Sequence, residues 1–97
     1  MKELSILGRS ISLQQRAKAQ LKGINIGESL TFSFYDGDFH GMNLLFLEPK
    51  KENPTPRECS ITAERMQAIF GLPVVFILSP GPSYERQRLI DKGVFFV

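Results

Sequence analysis

The apolar positions of this chain change period several times, and each change marks an expected element. Leu13, Ala17 and Leu21 recur every four residues, while Gln15, Arg16 and Lys18 lie off that stripe. This spacing predicts an amphipathic helix capped by Ser10 or Ser12, stopped at Gly23 and carrying a basic outer side. From Leu30 the period becomes two: Leu30, Phe32 and Phe34 alternate with Thr31, Ser33 and Tyr35, as in a strand with one buried face. Asp36-Gly37 and His40-Gly41 are both turn signals, and Leu44-Leu45-Phe46-Leu47 is continuously apolar. A hairpin follows, with its second strand deeper in the sheet than its first.

Pro49 to Pro56 is a polar, proline-punctuated stretch and is expected to be a loop. Ser60 is the expected cap of a helix ending at Gly71, with Met66, Ala63, Ile69 and Phe70 inward and Glu64, Arg65 and Gln67 outward. Val74-Val75-Phe76-Ile77-Leu78 reads as a strand buried on both faces. A helix from about Pro82 to Lys92, stopped by Gly93, and the apolar run Val94 to Val97 complete a parallel βαβ unit with a right-handed crossover. The predicted order is α-β-β-α-β-α-β. This is an α/β (α+β) fold with a small mixed sheet and helices packed on it.

Composition narrows the class. Ninety-seven residues with 42% hydrophobic and 23% charged content fit one ordinary globular domain. A net charge of +2 does not mark a nucleic-acid binder. Cys59 is the single cysteine, which excludes an internal disulfide and a multi-cysteine zinc site. No apolar run approaches the ~20 residues of a bilayer span, and the N-terminus has no secretory pattern, so the expectation is a cytoplasmic protein with no membrane partner. The final apolar run has no polar tail, which leads us to expect residues 1–97 to be the N-terminal part of a longer chain.

Four places carry candidate chemistry. The first is Glu48-Pro49-Lys50, at the end of an apolar strand. A carboxylate and a lysine two residues apart share a strand face, where one holds Mg²⁺ and the other steers the attacking water. The partner carboxylate has to come from Asp36 or Asp38. With a two-residue turn at His40-Gly41, Asp36 stands opposite Leu45 and Glu48 opposite Ser33, so Asp36 and Glu48 fall on opposite faces. The second is Arg86, projected between Leu89 and Ile90 and so directed toward the sheet; it is either an edge-closing ion pair or an anion or partner contact. The third is the basic outer side with Arg16 and Lys18, a solvated face or a phosphate-contacting one. The fourth is Ser79-Pro80-Gly81-Pro82-Ser83 at a helix start, where two prolines remove donors that a phosphate cradle needs. His40 reads as a turn residue. Nothing near Cys59 makes it a nucleophile.

Two resemblances bear on function. Glu48-Pro49-Lys50 resembles the second half of the signature of restriction-endonuclease-like phosphodiesterases, which implies a Mg²⁺-dependent nuclease using Asp36, Asp38, Glu48 and Lys50, or an inactive relative of one. Over Leu44 to Val97, above all in Val74 to Leu78 and Pro82 to Val97, the chain is similar to the N-terminal domain of bacterial (Bacteroides-type) winged-helix, MarR-like transcriptional regulators. That similarity implies an accessory, sensing or dimerisation domain without a cofactor, able to form a homodimer. It also implies that DNA reading belongs to a C-terminal winged helix; no helix-turn-helix spacing occurs in these residues.

Overall fold

The computed structural model describes residues 2–6, 9–16, 23–24, 26–79 and 83–97. Its elements are β1 (Lys2–Ile6), β2 (Arg9–Gln15), α1 (Ile26–Thr31), β3 (Phe32–Phe39), β4 (Met42–Pro49), α2 (Pro56–Phe70), β5 (Val74–Phe76), α3 (Ser83–Asp91) and β6 (Phe95–Phe96). The six strands lie side by side in chain order. Strands β1 to β4 form an antiparallel meander, and β4, β5 and β6 run parallel. The mixed sheet and the C-terminal βαβ unit agree with expectation. The N-terminal third does not.

There the expected helix is a strand over Arg9–Gln15. Ile11 and Leu13 are buried and Ser10, Ser12 and Gln14 exposed, so the period that matters is two, not four. The rest of the expected helix, residues 17–22, lies outside the described residues. Leu30 and Thr31 also differ from expectation: they end α1, and Leu30 is 68% exposed. Thr31 Oγ1 donates to the Gly27 carbonyl at 2.7 Å, which ties that last turn to the helix before β3 begins.

The β3–β4 hairpin turns at His40-Gly41, both with positive φ (54° and 76°), as a two-residue turn with the twist of its strands requires. Asp36-Gly37, the other turn signal, lies inside β3. Gly37 faces the side of the sheet where Leu13 crosses it, and a Cβ there would stand 2.6 Å from Leu13 Cδ2 and 2.6 Å from Phe46 Cε1. Glycine is needed for close approach, not for a reversal.

Helix α2 begins earlier than its sequence indicates, at Pro56, with Thr55 rather than Ser60 as its cap. Glu58 N–H donates to Thr55 Oγ1 (3.2 Å) and Thr55 N–H donates to Glu58 Oε1 (3.0 Å), a reciprocal capping box. Pro56 is tolerated because the first helical turn has no use for its missing N–H. Gly71, left-handed at φ 69°, closes the far end as expected.

Two apolar clusters sit on the two faces of the sheet. Helices α2 and α3 cover one face, where Cys59, Met66 and Leu89 pack on Phe32, Phe34, Leu45, Leu47 and Phe76. On the other face the sheet curls, bringing Ile11 and Leu13 over Tyr35, Phe46 and Val75. Leu45, Phe46 and Leu47 are all fully buried, so β4 is the deep strand predicted for the hairpin. Beyond the hairpin a side-chain amide replaces a ladder rung: Asn53 Nδ2 donates to the Ser79 carbonyl (2.8 Å) and Ser79 N–H donates to Asn53 Oδ1 (3.0 Å). Among the described residues no helix is long and apolar enough to cross a membrane.

Candidate functional site

The register of β3 and β4 decides what the acidic residues can do together. Ser33 pairs with Glu48 and Asp36 with Leu45, as the two-residue turn requires. Residues opposite one another share a face, so Asp36 lies with Leu45 and Leu47 on the helix-covered side and Glu48 lies with Ser33 on the other. Strand β4 ends at Pro49, which places Lys50 in the bend that follows; its N–H donates to the Thr31 carbonyl at 2.9 Å. Glu48 and Asp36 therefore do not fit a shared Mg²⁺. Among the described residues no group of three or more His, Cys, Asp or Glu gathers.

Asp36 has a different partner. Arg16 extends β2 by one more rung, its N–H donating to the Phe34 carbonyl at 2.8 Å, and this turns its side chain toward the helix-covered face. Arg16 Nε donates to Asp36 Oδ2 (2.9 Å) and Oδ1 (3.1 Å), and Nη2 donates to Oδ1 (2.8 Å). The guanidinium carbon stands 4.6 Å from the centroid of Phe70, in the last turn of α2. A planar cation held by a carboxylate and an aromatic ring is a geometry only arginine supplies. Arg16 joins the N-terminal hairpin to α2. It is not part of a basic helical side.

Asp38 shares the face of Asp36. With Ser12, Gln14 and Asn43 the two aspartates line an open groove of ≈ 240 Å³ at the hairpin end of the sheet. The groove presents carboxylate, amide and hydroxyl groups, the chemistry to accept hydrogen bonds from a cationic or polyhydroxy group. Ser12 and Gln14 carry no sequence signal except the alternation of β2, where they are exposed, and Asn43, in β4, carries none.

The other sequence candidates scatter. Arg86 is exposed and does not turn into the sheet; Leu89 is buried but Ile90 is exposed, so the inner stripe of α3 is one residue wide there. Lys18 lies outside the described residues, as do Pro80, Gly81 and Pro82 of the serine-proline segment. His40 is a turn residue, its ring edge-on to Phe39 at 4.3 Å. Cys59 is fully buried in the first turns of α2, and burial, with a smaller contribution from the charge of Glu58, pushes its thiol up to about 12. That is the reverse of an activated nucleophile. A pair absent from the sequence-based expectations joins α1 to α2: Arg65 Nε and Nη2 donate to Glu28 Oε2 (2.7 Å) and Oε1 (2.9 Å). The Glu28 carboxylate raises the pKa of Arg65.

The far end of the sheet is open. Strand β6 pairs with β5 alone among the described residues. Phe95 is 66% exposed and Val97 39% exposed, on the face opposite the helices. Comparison of the chain with protein-family models, with curated proteins and with solved structures finds no match.

Proposed function

We propose that this chain is an accessory, sensing or dimerisation domain of a DNA-binding transcriptional regulator, that it associates with a second copy through β6, and that DNA is read by a winged helix outside these residues. The edge of the sheet carries the association. Val97 N–H donates to the Phe76 carbonyl (2.9 Å) and the Val97 carbonyl accepts from Leu78 N–H (3.1 Å), so both its backbone groups point inward. By alternation Phe96 points its N–H and carbonyl outward. An outward donor and acceptor on one residue are self-complementary. Two antiparallel β6 strands related by a twofold axis at Phe96 exchange both bonds, and the exposed Phe95 rings flank the seam.

A non-catalytic role is supported by the β3–β4 register and by the engagement of Asp36 with Arg16, which together leave the nuclease-like signature without its second carboxylate. The regulator context rests on the resemblance over Leu44 to Val97. Sedimentation velocity of the 97-residue protein, with and without Phe95→Asp, tests the association. We expect a concentration-dependent dimer that the substitution abolishes without changing the far-ultraviolet circular dichroism. A two-residue edge buries little area, so the dimer should be weak, with a Kd of order 0.1 mM. A monomer at all concentrations, or a dimer untouched by Phe95→Asp, removes β6 from the account. Titration with duplex DNA at two salt concentrations tests the other half: tight, salt-sensitive binding by these residues alone places DNA contact in this domain.

A further inference from the structure

No further inference is drawn: the strongest candidate, the open groove on the helix side of the sheet between Ser12, Gln14, Asp36, Asp38 and Asn43, has one of its two carboxylates already held by Arg16, and nothing in the structure shows what fills it.

Discussion

Replacing Gly37 with alanine puts one methyl group where the curled sheet has no room. The new Cβ would stand 2.6 Å from Leu13 Cδ2, 2.6 Å from Phe46 Cε1 and 3.1 Å from Phe46 Cδ1. Carbon atoms prefer about 3.5–4.0 Å, so two contacts are each about 1 Å too short. Leu13 and Phe46 are both fully buried, and neither can swing into solvent to relieve them. Overpacking of this kind costs roughly 1–3 kcal/mol. The loss of unfolded-chain entropy on replacing glycine offsets roughly 0.4–1 kcal/mol of that. Gly37→Ala should therefore destabilise the protein by about 1–2 kcal/mol. Urea unfolding followed by circular dichroism measures it. Leu13→Ala alone should cost about 2–5 kcal/mol through its cavity. The double variant should lose less than the sum by about 0.5–1.5 kcal/mol, because the cavity takes up one of the two clashes. A Gly37→Ala protein as stable as the native one, or strict additivity with Leu13→Ala, refutes the packing of β2 over β3.

Three further outcomes are expected. A double-mutant cycle on Arg16→Ala and Asp36→Ala should give a coupling of about 0.5–1 kcal/mol, modest because Asp36 is 46% exposed, and zero coupling would deny the fork its role in holding the end of β2 to β3. For Cys59, whose folded pKa of about 12 lies above the ordinary thiol value of 9.0, the unfolded chain loses its proton first as pH rises. Stability should be intact below pH 9 and decline between about 9 and 12, and Cys59→Ala, although less stable at neutral pH, should remove that part of the slope; an unchanged slope means that the thiol is not the group responsible. Plasmid incubated with Mg²⁺ or Mn²⁺ should remain intact with the native protein; cleavage abolished by both Glu48→Ala and Lys50→Ala would restore the nuclease alternative.

The C-terminal two-thirds of the fold was legible because its elements carry consistent signals. The apolar run at Val74, the glycine stops at Gly71 and Gly93 and the Met66 face all agree with one another, and each stands where its pattern indicates. The N-terminal third is ambiguous because two periods coexist in it. Leu13 belongs both to a four-residue stripe with Ala17 and to an alternation with Ile11, and only the partner strand shows which one is buried. The same ambiguity hid the site chemistry: on a helix Arg16 points to solvent, whereas at the end of β2 it reaches Asp36, twenty residues away. Asp36-Gly37 has the composition of a turn, and only the crossing of Leu13 explains why glycine stands there. Long-range pairing of this kind leaves no local trace in a single sequence.

The two apolar clusters share their walls. Strands β3, β4 and β5 send alternate residues to opposite sides, so Leu45 and Leu47 belong to one cluster and the intervening Phe46 to the other. Loss of pairing among those strands breaks both clusters at once. The protein thus has two interiors but one cooperative unit: a lesion in either lowers the same global opening free energy, and the amides of β4 are the ones that report it.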